Sequence, residues 1–208
     1  MKKTLFTVLF VALAAVSASA QSAVGCVYVK PMAGGVLTTL TGDDIDNTKM
    51  KIGLVGGAEL GYQLSEQFAL TGGLLYTMQG SAFDSDGDPK FNLDYLNVPL
   101  LANYYVAPGF AIKAGVQLGI LTRAKATASN DDVSADVDIK DAFNTVDLAI
   151  PVGISYEFSD FVIDARYNFG LTKIAKKDGK FLGYSFHDDH NNIKNSVIML
   201  TVGYKIPL

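Results

Sequence analysis

Hydrophobic and polar residues alternate along most of this chain, and this period of two limits the fold more than any other feature. Successive side chains of a strand point to opposite faces, so the alternation predicts strands with one apolar and one polar face. In the clearest segment, the apolar face carries Phe161, Ile163, Ala165, Tyr167, Phe169 and Leu171. Its polar face carries Asp164, Arg166, Asn168, Gly170 and Thr172. We therefore expect an all-β protein.

Eight segments show the alternation, and most are 11 residues or longer, whereas strands of soluble proteins usually have about 5–6 residues. They are residues 27–40, 52–64, 68–80, 96–106, 110–120, 146–158, 161–171 and 198–208, of which the first is the least regular. The connections between them alternate in length: short ones lie at 65–67, 108–109 and 159–160, and long polar ones at about 41–50, 81–90, 127–142 and 175–192. Transmembrane barrels have this asymmetry, with short periplasmic turns and long extracellular loops.

Two kinds of barrel alternate in this way, and the polar row distinguishes them. A soluble barrel turns its apolar row inward and exposes many Lys and Glu residues to water. Here the polar row is mostly Gly, Thr, Ala, Asn and Gln, with about one charge per strand, which suits a narrow interior. Lys113 and Arg166 would each cost about 2–4 kcal/mol if they faced lipid near the midplane. The sequence therefore predicts an eight-stranded antiparallel up-and-down transmembrane β-barrel whose apolar row faces lipid.

The first twenty residues are not expected to belong to the barrel. Lys2 and Lys3 precede an apolar stretch from Leu5 to Val16, and Ala18-Ser19-Ala20 forms a small-residue cleavage site. The stretch is too short to span a bilayer core of about 30 Å. We predict a cleaved signal peptide over 1–20 and one barrel domain over 21–208. A single Cys excludes a disulfide framework, and a net charge of −4 without a basic cluster argues against nucleic acid.

Two prolines, Pro99 and Pro151, stand within predicted strands. Proline lacks the backbone donor that a ladder needs, and it is usually found at an edge or at a bulge. The alternation keeps its parity across both positions. Because a closed barrel has no edge, we expect a β-bulge at each proline.

Four motifs in chain order are similar to those of a known family. They are residues 68–80 (FALTGGLLYTMQG), 94–105 (DYLNVPLLANYY), 115–125 (GVQLGILTRAK) and 165–172 (ARYNFGLT). These motifs resemble the PorT-like outer-membrane β-barrel proteins, and the resemblance covers nearly all of residues 24–208. It implies an eight-stranded barrel in the outer membrane of a Gram-negative cell, and it adds little about activity. Asn97 stands where the family usually has an acidic residue, and the chain ends in Leu208 rather than Phe.

The polar row predicts a charged network inside the barrel. Its expected members share the inward parity, and they are Glu59, Lys113, Gln117, Arg123, Asp147, Asp164 and Arg166. Buried charges need partners, so we expect these side chains to pair with one another and to take no part in catalysis. Eight strands leave an interior just wide enough for side chains to fill. We expect no enzymatic activity, no cofactor and no metal ligand.

The long connections are acidic, since they hold fourteen of the 21 Asp and Glu residues against six Lys. The acidic and histidine-containing segments 84–88, 131–141 and 187–190 are interpreted as solvated surface loops, with divalent cations at the acidic segments and a transition metal at 187–190 as the alternatives. We expect a structural or surface-presenting protein with a narrow or closed lumen, in contact with outer-membrane lipid and, during insertion, with the barrel-assembly machinery. A binding partner in envelope assembly or secretion, and a narrow small-solute channel of porin type, stay as alternatives.

Overall fold

The computed structural model describes residues 22–41, 48–83, 90–130, 133–174, 178–181, 184–187 and 193–208. Within these ranges the strands are β1 (Val27–Thr41), β2 (Thr48–Lys49), β3 (Lys51–Gln63), β4 (Phe68–Phe83), β5 (Lys90–Ala107), β6 (Phe110–Asn130), β7 (Val133–Asp138), β8 (Val146–Phe158), β9 (Phe161–Gly170), β10 (Asp178–Phe181), β11 (Tyr184–His187), β12 (Lys194–Tyr204) and β13 (Ile206–Pro207). A 3-10 helix, Lys140–Ala142, follows β7. The predicted signal peptide and the segments 84–88, 131–132 and 188–190 lie outside the described residues.

Eight strands form the wall of a closed barrel, in the order β1, β3, β4, β5, β6, β8, β9 and β12. Each is antiparallel to its neighbours, and β12 pairs with β1 over Met32–Thr41 to close the ring. The predicted eight-stranded antiparallel up-and-down barrel is therefore confirmed. We refer to these eight as the wall strands.

The two faces of the wall differ as the alternation predicts. Large apolar side chains on the outer face are exposed, among them Leu54, Leu74, Leu100, Val116, Ile163 and Leu200. Polar and charged side chains on the inner face are buried, among them Lys30, Glu59, Thr71, Asn103, Gln117 and Asp164. Soluble monomers rarely expose a continuous apolar surface of this extent, so this outer face suits contact with lipid. The described residues include no helix that is long and apolar enough to cross a membrane.

The expectation of bulges at the two prolines is wrong. The β4–β5 register is the same on both sides of Pro99, with Gly72 opposite Leu100 and Leu75 opposite Asn97. The β6–β8 register is likewise constant across Pro151. Each proline also stays paired with its other neighbouring strand, at Gln117 for Pro99 and at Asn168 for Pro151. Each proline lacks its backbone N–H group, so it loses a hydrogen bond to one neighbouring strand only. The wall accommodates this loss without the extra residue of a bulge.

A bulge does occur near the long-connection end of β6. Asp94 of β5 lies opposite Arg123, but Tyr95 lies opposite Leu121, so Thr122 is an additional residue in β6. A bulge of this kind reverses the parity of the strand beyond it. Leu121 and Ala124 are accordingly both buried.

The short-connection end is formed by tight turns and a group of aromatic side chains. Gly109 and Ser159 have positive φ values of 73° and 52°, as compact two-residue turns require. Phe68 packs on Tyr104 with ring centroids 5.0 Å apart, and Phe161 packs on Tyr204 at 5.1 Å. Aromatic side chains at this position are typical of the interfacial girdle of a membrane barrel.

The long-connection end contains more strand than the sequence predicts. β5 begins at Lys90, before the expected start at residue 96, and β6 continues to Asn130 and forms a hairpin with β7. β10 and β11 form a separate two-stranded hairpin. The alternation of β5 changes parity at the predicted start of the strand: Leu93 and Tyr95 are apolar and buried in the lumen, whereas Val98 and Leu100 are apolar and exposed on the outer face. A single period of two therefore does not run through the extension.

Candidate functional site in the barrel lumen

Five charged side chains from four wall strands meet inside the barrel, and we call them the central ion cluster. They are Lys30 of β1, Glu59 of β3, Lys113 of β6, and Asp164 and Arg166 of β9. All five are buried, with at most 4% of each residue exposed. Three cations therefore face two carboxylates in the interior.

Arg166 donates hydrogen bonds to both carboxylates of the cluster. Its Nη1 donates to Glu59 Oε1 at 2.6 Å, while its Nε and Nη2 donate to the two carboxylate oxygens of Asp164 at 2.6 and 2.9 Å. Lys30 Nζ lies 2.8 Å from Glu59 Oε2, and Lys113 Nζ donates to Asp164 Oδ2. Charge-assisted and bidentate hydrogen bonds of this kind are the strong ones in proteins.

The contacts of the central ion cluster cross the lumen. Arg166 and Glu59 come from β9 and β3, which are separated in the wall by β12 and β1. Lys113 and Asp164 come from β6 and β9, with β8 between them. The side chains thus bridge strands that are not neighbours, and they occupy the space that a solute would need.

A second polar group fills the lumen at the short-connection end. Lys205, between β12 and β13, places its Nζ 2.6 Å from Glu157 Oε2, and the Tyr105 hydroxyl donates to Glu157 Oε1 at 2.7 Å. The Lys205 ammonium also lies 4.4 Å from the centre of the Tyr28 ring, in a cation–π arrangement. We call these four residues the inner aromatic group.

The long-connection end of the lumen is apolar. We call its members the outer apolar plug, and they are Leu40, Leu93, Tyr95, Leu121, Ala124, Ile139 and Ile174. Ile139 and Ile174 come from segments outside the wall strands, and backbone hydrogen bonds hold Ile139 to Ala124 and Ile174 to Ile193. These two side chains therefore cover the lumen at its long-connection end.

A small polar cavity lies between the central ion cluster and the outer apolar plug. Along β6 the inward residues run from Lys113 of the cluster, past Gln117 and Gly119 at the cavity, to Leu121 of the plug. The polar side chains that line the cavity are Gln79, Asn97, Gln117, Asp147, Asn168 and Asn195. Its free volume of about 10 Å³ holds about one water molecule.

Glycines of the inner face make room for the largest lumen side chains. Tyr28 pairs with Gly61 across β1 and β3, and a Cβ atom added to Gly61 would lie 2.1 Å from Cζ of the Tyr28 ring. Glu59 pairs with Gly73, where an added Cβ would lie 2.7 Å from Glu59 Cγ. Each of these glycines thus leaves the space into which a neighbouring side chain folds.

Gly61→Ala is expected to displace the Tyr28 ring and to destabilise the barrel by about 1–3 kcal/mol, the usual cost of overpacking. Urea unfolding of the protein in detergent micelles measures this loss. Tyr28→Ala removes the three atoms that lie nearest to the added methyl group, so in this background the same substitution should cost much less. Equal costs in both backgrounds would show that Tyr28 does not occupy the space over Gly61.

The structure brings together four of the seven predicted lumen residues, Glu59, Lys113, Asp164 and Arg166, in the central ion cluster. Gln117 and Asp147 also point inward, but they line the polar cavity. The hydrogen bonds of Asp147 go to Thr172 and Asn195. The seven residues therefore do not form a single cluster.

The prediction for Arg123 is wrong. Its side chain is 55% exposed and faces outward, where Nη1 lies 3.9 Å from Asp94 Oδ2. The cause is the bulge at Thr122, which reverses the parity of β6 just before Arg123. Asp94 also accepts a hydrogen bond from the Tyr76 hydroxyl at 2.9 Å, so these three side chains form a polar group on the outer surface.

Lys30 and Lys205 were missed by the sequence reasoning. Lys30 was hidden because the inward row of β1 also contains the apolar residues Tyr28, Met32 and Val36, which obscure the alternation. Lys205 lies within the alternating segment 198–208, at the polar parity between Tyr204 and Ile206, but it was not included in the predicted network. A signal was available in both strands, since each of these lysines has the parity of the inner face.

Comparison with known proteins agrees with this architecture. Residues 20–176 match the family described as the outer membrane protein beta-barrel domain. The chain belongs to this family, and it is an outer-membrane protein. No curated protein sequence matches the chain, and its membership of the PorT-like group stays a prediction.

Two solved structures are similar to this chain in fold. Ail, the attachment invasion locus protein of Yersinia pestis, solved with the heparin analogue sucrose octasulfate, has a TM-score of 0.53 and 17% identity, over 88% of this chain and 100% of that chain. Neisserial surface protein A has a TM-score of 0.50 and 13% identity, over 86% of this chain and 97% of that chain. At these identities the likeness shows the fold alone.

Proposed function

We propose that this protein is a non-conducting outer-membrane barrel with a structural role, which presents its long connections at the cell surface. The observation that carries the proposal is the central ion cluster, whose contacts cross the lumen from β9 to β3 and from β6 to β9. The inner aromatic group and the outer apolar plug add a layer on each side of it. A solute would have to displace all three layers.

The buried ion pairs that cross the lumen favour a closed barrel over a small-solute channel. Leaving one partner of a buried ion pair without the other typically costs about 3–5 kcal/mol, and Arg166 alone is bonded to two carboxylates. An eight-stranded barrel has little room beyond its own side chains. We therefore favour a structural role over conduction.

The orientation is part of the proposal. Outer-membrane barrels place their short turns in the periplasm and their long loops outside the cell. The turns at Gly109 and Ser159 then face the periplasm, and the 3-10 helix Lys140–Ala142 faces outward. In this orientation the outer face contacts outer-membrane lipid, and the barrel-assembly machinery inserts the chain from the periplasmic side.

No catalytic step is included in the proposal. A general base needs a carboxylate or imidazole that can reach a reacting group. The carboxylates of Glu59 and Asp164 are already bonded to Arg166 and to lysine ammonium groups in the interior. These contacts suit neutralisation of buried charge.

Cysteine labelling of whole cells tests the surface-presenting role. In a Cys26→Ser background, Asp141→Cys on the exposed 3-10 helix is expected to react with a membrane-impermeant maleimide on intact cells. Glu66→Cys, in a turn at the opposite end, is the matched control, and it should react only after the cells are opened. Labelling of Glu66→Cys but not Asp141→Cys on intact cells would contradict the proposed orientation.

A further inference from the structure

The carboxylate of Asp147 lies in the polar cavity, and its side-chain hydrogen bonds go to residues outside the central ion cluster. The residue is 7% exposed. Its Oδ1 accepts a hydrogen bond from Thr172 Oγ1 at 2.6 Å, and its Oδ2 accepts one from Asn195 Nδ2 at 2.8 Å. Among the described residues, no Lys, Arg or His nitrogen lies within 4.0 Å of it. Burying a carboxylate without a charged partner is costly.

Asn168 supplies an independent observation at the same cavity. The residue is 3% exposed, and within the described part of the chain neither its side-chain oxygen nor its side-chain nitrogen has a hydrogen-bond partner. Buried side-chain amides are almost always bonded, to protein or to something bound. Asn168 lines the cavity together with Asp147. A carboxylate without a charged partner and an amide without a hydrogen-bond partner therefore border the same cavity.

Gly119 leaves open space between the side chains of Asn97 and Asp147. It pairs with Asn97 on one side and with Asp147 on the other. A Cβ atom added to Gly119 would lie 3.0 Å from Asn97 Oδ1 and 3.6 Å from Asp147 Cβ. Because Asn97 Nδ2 donates to Thr77 Oγ1 at 2.9 Å, the carbonyl oxygen of Asn97 is the atom that borders this space.

We infer that the polar cavity binds one monovalent alkali cation, held by the Asp147 carboxylate and by the amide oxygens of Asn97 and Asn168. Hard cations take carboxylate and amide oxygens as ligands. The free volume of about 10 Å³ suits a single ion without its hydration shell. The site goes beyond the proposed structural role.

The charge of the ligand set selects a monovalent ion. The cavity offers one carboxylate, whereas calcium sites usually combine several carboxylates with other oxygen ligands. In the described residues no three His, Cys, Asp or Glu side chains come together as a metal site. A divalent ion would also add an unbalanced positive charge beside a cluster in which Lys30, Lys113 and Arg166 already outnumber Glu59 and Asp164.

The test compares alkali chlorides with choline chloride at equal ionic strength. The full-length protein is unfolded in urea and refolded into detergent micelles in rubidium, potassium or sodium chloride, so that an ion can enter as the barrel forms. At an ion concentration about 100-fold above the dissociation constant, the thermal unfolding midpoint should rise by about 5–10 °C over the value in choline chloride. Crystals grown in rubidium chloride should show an anomalous peak between Asp147 and Asn97.

Asp147→Asn is the matched variant, because it keeps the shape of the side chain and removes the charge. It should lose the rubidium peak and the difference between alkali and choline chlorides, while Asp160→Asn, at an exposed turn, should keep both. Equal midpoints for the unaltered protein in all the salts, or a cavity without a rubidium peak, would overturn the inference and leave water as the occupant. An equal alkali effect in Asp147→Asn would overturn it as well. If Asp147→Asn does not fold, the comparison of salts on the unaltered protein decides alone.

Discussion

Asp164→Ala is expected to destabilise the barrel by about 3–5 kcal/mol, because it removes a carboxylate that neutralises several buried cations. Asp164 accepts two hydrogen bonds from Arg166 and one from Lys113, and Lys30 Nζ lies 3.9 Å from it. Without it, three buried cations face Glu59 alone. Urea unfolding of the refolded protein in detergent micelles measures the loss.

A matched control and a double variant make the prediction specific. Asp141→Ala, on the exposed 3-10 helix, removes the same group from the surface and should change the stability by no more than about 0.5 kcal/mol. Adding Lys113→Met to Asp164→Ala should recover part of the loss, because it removes a cation left without its partner. Equal effects of Asp164→Ala and Asp141→Ala would show that the charges of the cluster are solvated in an open lumen.

Leu200→Arg is expected to cost about 2–4 kcal/mol, the penalty for an arginine on the lipid face near the bilayer midplane. Leu200 is 57% exposed on the outer face of β12, and it pairs with Gly35 and Ala165 in the middle of the wall. Unfolding of the barrel in lipid vesicles measures this cost, since the bilayer has to be present.

The control for Leu200→Arg lies at the end of the same chain segment. Leu208→Arg places the charge at the short-connection end, near the interface, where the penalty falls to about 0–1 kcal/mol. A small and equal effect of both substitutions would mean that the apolar row does not face the hydrocarbon core.

Alternation predicted the wall well because the bilayer imposes one rule on every strand. Leu148, Ile163 and Leu200 are exposed on the outer face, which we propose contacts lipid, so each of these positions has to be apolar. The rule weakens where the lumen itself becomes apolar. In β1 the inward residues Met32 and Val36 pack against Leu75 and Val197, and the contrast between the two faces is lost there.

Which lumen side chains contact one another was harder to predict than which side chains point into the lumen. Parity places Arg166 and Glu59 on the inner face, but their contact depends on how far β9 and β3 are staggered along the barrel axis. A single bulge, at Thr122, was enough to turn Arg123 outward. Stagger and bulges arise from the packing of the whole wall, and one strand read alone does not contain them.

Single-channel recording in planar lipid bilayers tests the closed lumen most directly. The central ion cluster, the inner aromatic group and the outer apolar plug fill the barrel at successive depths, so purified protein inserted into the bilayer is expected to give no conductance steps above those of protein-free controls in concentrated potassium chloride. Insertion is verified independently by the protease resistance of the wall strands. Steady, ohmic conductance steps that scale with the amount of inserted protein would contradict the account.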